Sequence, residues 1–149
     1  MAGTFSQIYI QIVFPVINRS NLIQPEWEER LYQYITGIVK QKKQKMLAIN
    51  GMPDHIHILI GMRPSCCLLD LVREIKKASN QFINDNKLSK IKFYWQDGFG
   101  AFSYGHSQLD YVIAYIRNQK QHHKQRSYRD EYIEFLDKFK IVYDERFLF

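Results

Sequence analysis

Two histidines separated by one residue are the first side chains in this sequence that could do chemistry. His55 and His57 stand in the apolar run Pro53-Asp-His-Ile-His-Ile-Leu-Ile60, which is typical of a β-strand. Because side chains alternate along a strand, both imidazoles project from one face, while Ile56 faces the other way. Two imidazoles held on one strand can bind a single divalent metal ion. Two ordinary histidines on a half-exposed strand are the alternative interpretation.

A second group of polar side chains lies about 60 residues later in a segment with helical spacing. Spacings of four, three and four residues place its members in one stripe on a helix: Tyr115, Gln119, His122 and Arg126. The segment 111–129 contains five basic residues and no acidic one, which suits contact with a phosphate backbone. A solvated helix face with a partly buried tyrosine is the alternative.

Together, the two motifs resemble those of the single-tyrosine HUH transposases, an insertion-sequence family of the TnpA type. HUH denotes two histidines separated by a bulky hydrophobic residue, which here is Ile56. The segments Met52-Pro-Asp-His-Ile-His57 and Tyr115-Ile-Arg-Asn-Gln119 carry the resemblance, which spans nearly the whole chain.

The resemblance implies an enzyme that cleaves and rejoins single-stranded DNA at hairpin-bearing ends. In this family a tyrosine attacks a phosphodiester, forms a 5′-phosphotyrosine link and frees a 3′-hydroxyl. Tyr115 is then the nucleophile, and the residues that hold one Mg²⁺ or Mn²⁺ against the scissile phosphate are His55, His57 and Gln119. Family members act as dimers, so we expect a homodimer in which the tyrosine completes the partner's active site in trans.

Several assignments stay open at this stage. Tyr111 lies one turn before Tyr115, but only Tyr115 has a glutamine four residues later. His122 could supplement or replace Gln119 as the third metal ligand. Asp54 could orient a histidine or only form the turn before the strand, and the turn is preferred.

A zinc site built from the two histidines and the adjacent Cys66 and Cys67 is disfavoured. Chelating cysteines usually lie two residues apart, and these two are neighbours.

Basic side chains are the expected DNA contacts. The residues predicted for this role are Arg73, Lys76, Arg117, Lys120 and Arg126. A second lysine cluster at 40–45 and the aromatic segment 93–104 are weaker candidates, because a solvated face and core packing are their preferred interpretations. Trp95 and Phe102 are predicted to be structural.

The composition favours one domain over residues 1–149 with an anionic partner. The chain carries 21 Lys and Arg against 15 Asp and Glu, a net charge of +6, and 46% of it is hydrophobic. It contains no apolar run of the ~18–20 residues that a membrane helix needs, and its start does not read as a signal peptide. Adjacent cysteines cannot close a long loop. These features favour a cytoplasmic protein, and the resemblance implies a bacterial or archaeal one.

The hydrophobic pattern predicts the order β-α-β-β-α-β followed by helices. This order indicates an α+β fold, in which a ferredoxin-like or RRM-like antiparallel sheet is covered by helices. The resemblance implies that a C-terminal helix carries the nucleophilic tyrosine. The predicted strands are 6–16, 45–50, 55–61 and 91–95, with 98–105 either strand or loop. The predicted helices are 25–42, 68–82, one from 109 capped by Ser107 and Asp110, and one from 128 capped by Ser127.

Two other functions fit parts of the sequence. One is a host-domesticated nuclease of the same chemistry that acts on chromosomal palindromes. The other is a non-catalytic RRM-like nucleic-acid-binding module, which would bind without metal or covalent attachment.

Overall fold

The computed structural model describes residues 3–122 and 126–148, and only the backbone of residue 122. The strands of its four-stranded antiparallel sheet are β1 (Tyr9–Pro15), β2 (Lys45–Met52), β3 (His55–Gly61) and β4 (Gly100–Tyr104). Their spatial order is β2-β3-β1-β4. The helices are α1 (Pro25–Gln41), α2 (Leu68–Asp85), α3 (Leu109–Arg117), α4 (Gln119–His122) and α5 (Tyr128–Lys138). The predicted α+β class is confirmed. None of the helices within these described ranges combines the length and the hydropathy of a membrane span.

Helices cover both faces of the sheet. Ile12 and Phe14 of β1 pack in one core with α1, α2 and the alternate isoleucines of β3. On the opposite face, Val13 and Phe102 pack against α5, and Leu59 packs against α3. The alternation predicted for β3 is therefore correct, and β1 alternates in the same way, which produces three layers with the sheet in the middle.

The two histidines lie on the central part of this sheet. β3 is hydrogen-bonded on both edges, and His57 pairs with Val13 of β1 and with Asn50 of β2. His55 and His57 both face the layer formed by α3, α4 and α5, as the two-residue spacing predicts. A strand held on both sides fixes the separation of the two imidazoles.

Gly51 lies where the β2–β3 hairpin approaches its turn, and the backbone of the facing strand leaves no room there for a side chain. A Cβ atom at this position would lie 2.3 Å from the backbone oxygen of His55. We expect Gly51→Ala to lower the free energy of unfolding by ~1–3 kcal/mol, measured by urea denaturation, because backbone atoms would have to move.

Gly37 on α1 provides the matched control for this substitution. Nothing lies within 4 Å of its Cβ position, so Gly37→Ala should raise stability by up to ~1 kcal/mol. A Gly51→Ala variant as stable as the wild type would contradict the packing described for the hairpin.

The prediction of a strand over residues 91–95 is wrong. The segment forms a single isolated bridge at Trp95. The backbone N–H of Phe93 donates to Asn84 Oδ1 at 2.7 Å, and its carbonyl accepts from Asn84 Nδ2 at 2.9 Å. At Phe93 a side chain of α2 thus takes the place of a neighbouring strand. Phe93 and Trp95 are buried in the core, which explains the apolar pattern, and the fourth strand is instead β4.

The capping predictions have different outcomes for the last helices. Ser127 caps α5 as predicted, because its hydroxyl accepts the N–H of Asp130 at 3.2 Å. The predicted Ser107 cap is wrong, since α3 has no side-chain cap. The side chain of Gln108 instead accepts the N–H of Gly105 at 2.9 Å, in the 3₁₀ turn that precedes α3.

The polar stripe predicted for one helix is divided: Tyr115 lies on α3, Gln119 and His122 on α4, and Arg126 in the bend before α5. α3 ends at Arg117 and α4 begins at Gln119, because the helix is anchored to the sheet at this point. Asn50 of β2 donates its amide to the carbonyls of Ile116 at 3.0 Å and of Arg117 at 3.1 Å. Carbonyls at a helix C-terminus lack helical partners, so this side chain satisfies them.

Candidate active site

Five polar side chains meet between the sheet and the second helix layer. They come from β3, α3, α4 and α5, and they are His55, His57, Tyr115, Gln119 and Glu131. All except Tyr115 are at most 1% exposed. Ionisable groups buried to this degree must be paired with one another or with a metal ion.

The Nε2 atoms of both histidines face the same carboxylate. Glu131 Oε1 lies 2.8 Å from His57 Nε2 and 3.5 Å from His55 Nε2. Gln119 Oε1 is 3.3 Å from His55 Nε2. One ligand atom from each histidine and from Glu131 lies within 4.8 Å of the others. Donors that bind one divalent ion at about 2.0–2.2 Å can have such separations, so this set fits a metal ion.

The opposite ring nitrogens are held by two further side chains. Asp54 Oδ1 lies 2.7 Å from His55 Nδ1, and Gln11 Oε1 lies 2.7 Å from His57 Nδ1. Both partners are oxygen atoms, so they stabilise the tautomer with its proton on Nδ1, and this tautomer leaves the Nε2 lone pair for a metal. Asp54 therefore orients a histidine. The sequence had favoured the alternative, in which Asp54 only forms the turn before the strand.

The free protein also binds a proton at His55 more readily than usual. Burial opposes the charged imidazolium, but the hydrogen bonds to Asp54 and Glu131 outweigh it and raise the pKa of His55. A metal ion on Nε2 competes with this proton.

Asp54 gives a direct test of this support. We expect Asp54→Ala to weaken Mn²⁺ binding by ~10–100-fold in calorimetry, because the His55 ring loses its acceptor. Asp54→Asn keeps an acceptor oxygen, so its Mn²⁺ affinity should lie closer to that of the wild type. Equal affinity for all three proteins would show that Asp54 does not support the site.

The hydroxyl of Tyr115 lies between an anion and a cation. It donates to Glu131 Oε2, and Arg126 Nη2 donates to it at 2.8 Å. Gln119 Nε2 donates to the same carboxylate oxygen at 3.2 Å. Burial and the Glu131 carboxylate raise the pKa of Tyr115 well above its usual value, while Arg126 acts in the opposite direction. The phenol is thus protonated, oriented and already in contact with a proton acceptor.

The alternative nucleophile, Tyr111, is not part of this cluster. It is 67% exposed, and Lys138 Nζ lies 5.7 Å from the centre of its ring. The Tyr115 ring, in contrast, lies 6.2 Å from the ring of His57. The side chain of His122, the alternative third ligand, falls outside the described residues.

A small cavity of about 50 Å³ opens beside the Tyr115 hydroxyl. Its lining includes Gln11, Arg126, Glu131 and Glu134. A space of this size holds water molecules and not a nucleotide.

Lys76, a predicted DNA contact, makes its hydrogen bonds within the protein. Its ammonium donates to the carbonyls of Gln96 at 2.7 Å and of Gly98 at 2.5 Å, which ties α2 to the loop before β4. Burial lowers the pKa of Lys76 to about 8, although the charge of Asp97 opposes this shift.

The other predicted DNA contacts have different surroundings. Lys120 Nζ pairs with Glu28 Oε2 at 3.0 Å and donates to the Gly51 carbonyl at 2.7 Å. Arg73 and Arg117 are exposed. A role for these side chains in DNA binding stays a prediction.

Glu131 is the site residue that the sequence analysis missed. Acidic residues are common in the first turn of a helix, where they interact with the helix dipole. The signal that could have found it is spacing, since Glu131 lies three residues after Tyr128 and four before Phe135, on the apolar face of the helix. A carboxylate on a buried stripe requires a partner.

This geometry agrees with the comparison to known families. Residues 4–119 match the family described as Transposase IS200 like, and the chain belongs to this family. The match includes the two histidines, Tyr115 and Gln119, and it ends before α5. The family predicted from the two motifs is thereby confirmed.

Two solved structures share the fold. A protein from Deinococcus radiodurans described as a candidate transposase has a TM-score of 0.64 and 19% identity, over 80% of this chain and 95% of that chain. A REP-associated tyrosine transposase bound to a REP hairpin has a TM-score of 0.60 and 17% identity, over 83% of this chain and 74% of that chain. Comparison with curated proteins gives no match.

Proposed function

We propose that this transposase-family protein cleaves and rejoins single-stranded DNA at hairpin-bearing ends through a 5′-phosphotyrosine intermediate. The observation that carries the proposal is the position of the Glu131 carboxylate. One of its oxygens accepts the Tyr115 hydroxyl, and the other lies 2.8 Å from His57 Nε2. The candidate nucleophile and the candidate metal ligands therefore meet within one chain.

The proposed metal ligands are His55, His57 and Glu131, with the amide oxygen of Gln119 next to them. A bound Mg²⁺ or Mn²⁺ would neutralise oxygens of the scissile phosphate and orient it for attack. Two imidazoles suit Mn²⁺ better than Mg²⁺, which prefers oxygen ligands.

In the proposed cleavage step, Glu131 accepts the phenolic proton of Tyr115. Tyr115 Oη bonds to phosphorus as the bond from phosphorus to the 3′ oxygen breaks. The phenolic proton moves to Glu131 Oε2, which already accepts it, and the departing 3′ oxygen takes a proton from water. Because the covalent link conserves the energy of the phosphodiester, a 3′-hydroxyl can reverse the step without ATP.

The proposed substrate is DNA with a hairpin at its end. A solved structure that shares the fold holds a REP hairpin, which supports this proposal together with the family. Rejoining distinguishes a transposase from a host-domesticated nuclease, since only strand transfer requires ligation to a new DNA end.

A non-catalytic RRM-like module is the less favoured function. Such modules stack bases on an open face of the sheet. Helices cover both faces of this sheet along the described ranges. A surface that only binds nucleic acid also does not require a buried cluster of two histidines and a glutamate.

The deciding experiment uses labelled oligonucleotides with hairpin ends, varied in the sequence flanking the stem. In the presence of Mn²⁺ we expect a protein–DNA band that survives SDS and is absent after EDTA. Failure to form such a band with every oligonucleotide that the folded protein binds would overturn the proposed function.

The resemblance predicts a homodimer completed in trans, whereas the contacts within one chain favour completion in cis. The two arrangements give opposite results when Tyr115→Phe is mixed with His57→Ala. A trans site restores the adduct, because each inactive chain supplies what the other lacks. We expect no restoration, since Tyr115 already contacts Glu131 of its own chain. An adduct formed by the mixture would establish the trans homodimer.

A further inference from the structure

We propose that Arg126 is a catalytic residue that acts on the nucleophile, and not a contact to the DNA backbone. The inference rests on the proposed function, because the reacting atom is Tyr115 Oη. Charge alone placed Arg126 among the expected DNA contacts, and the geometry points to a more specific task.

The guanidinium of Arg126 is held at both ends. Its Nη2 donates to Tyr115 Oη at 2.8 Å, and its Nη1 pairs with the carboxylate of Glu134 on α5. The guanidinium group is planar and rigid, so two fixed ends determine its orientation. Its side chain is half-buried, which limits the screening of its charge by water.

Two neighbouring cations of the described residues have other partners. Lys120 is bound to Glu28 and to the Gly51 carbonyl, and Lys138 lies over the ring of Tyr111. Arg126, in contrast, donates directly to the Tyr115 hydroxyl. This contact separates it from side chains that could only raise the general positive charge of the surface.

Arg126 and Glu131 contact the same oxygen with different consequences. Glu131 takes the proton, whereas Arg126 donates to the oxygen and remains charged throughout, since guanidinium does not lose its proton in proteins. Negative charge on Oη is therefore stabilised when the proton leaves. During rejoining Oη becomes the leaving group, and the same donor stabilises it again.

The test separates the rate of the chemical step from DNA affinity. For Arg126→Gln we expect the rate of adduct formation at saturating hairpin DNA with Mn²⁺ to fall by about 100-fold. The Kd for the same DNA, from fluorescence anisotropy, should change by less than about threefold. Guanidinium ion added to Arg126→Ala should restore part of the rate, a rescue that a purely structural role would not give.

Arg129→Gln is the matched control, because it removes the same charge from an exposed position in the first turn of α5, three residues after Arg126. We expect it to form adduct at the wild-type rate when DNA is saturating. A raised Kd for Arg126→Gln with an unchanged rate at saturation would overturn the proposal and make Arg126 a backbone contact. A rate loss without rescue by guanidinium would also overturn it. Absence of adduct from the wild type would instead reject the proposed function itself.

Discussion

The SDS-resistant adduct is expected to disappear completely in Tyr115→Phe. The substitution removes only the hydroxyl oxygen that forms the phosphodiester, and the ring keeps its packing against Phe135 and beside His57, with centroids 5.8 and 6.2 Å away. The variant should therefore fold and bind hairpin DNA like the wild type. The measurement is gel analysis of a labelled hairpin oligonucleotide with Mn²⁺, together with its Kd.

Tyr111→Phe is the control for this result. Tyr111 is exposed and one helical turn away, and its loss should leave the adduct unchanged. If adduct persisted in Tyr115→Phe and vanished in Tyr111→Phe, the nucleophile would be assigned to the wrong tyrosine. Persistence in both variants would exclude a tyrosine of α3 altogether.

Glu131→Gln is expected to have the second largest effect. It removes a carboxylate that faces both histidines with one oxygen and the Tyr115 hydroxyl with the other. We expect Mn²⁺ affinity to fall by more than the ~10–100-fold that is typical for residues that only support a ligand. Adduct formation should also slow for a second reason, because an amide accepts the phenolic proton poorly. Calorimetry with Mn²⁺ and single-turnover kinetics measure the two effects separately.

Two variants complete this experiment. Asp137→Asn removes an exposed carboxylate of the same helix and should change neither quantity. Gln119→Ala tests the ligand that the sequence motif predicts. If Glu131→Gln bound Mn²⁺ like the wild type while Gln119→Ala did not, the third ligand would be Gln119, and Glu131 would act on Tyr115 alone.

Local periodicity was sufficient to predict part of this site. The common orientation of His55 and His57 follows from the alternation along a strand, which depends only on neighbouring residues. The pairing of Tyr115 with Gln119 was predicted from a continuous helix. The helix in fact breaks at Asn118, yet both side chains reach Glu131, because Asn50 anchors the end of α3 to the sheet.

The remaining features depend on contacts between distant parts of the chain. Glu131 lies 74 positions from His57 in the sequence, and only the docking of α5 brings them together. The error at 91–95 has the same origin. That segment is as apolar as a strand, but Asn84 bonds both backbone groups of Phe93, and β4 occupies the edge of the sheet. Periodicity indicates which residues are buried and does not indicate which partner buries them.

The burial of the site sets a limit on how tightly the protein can hold its DNA. The proposed ligands are at most 1% exposed and the cavity beside them measures about 50 Å³, so a phosphodiester that binds them must displace some of the packing around the site. The free energy of this displacement is subtracted from the intrinsic affinity, and each ~1.4 kcal/mol reduces the apparent affinity tenfold. Secure packing of the helix layer and strong retention of substrate therefore oppose each other, and a change that strengthens one weakens the other.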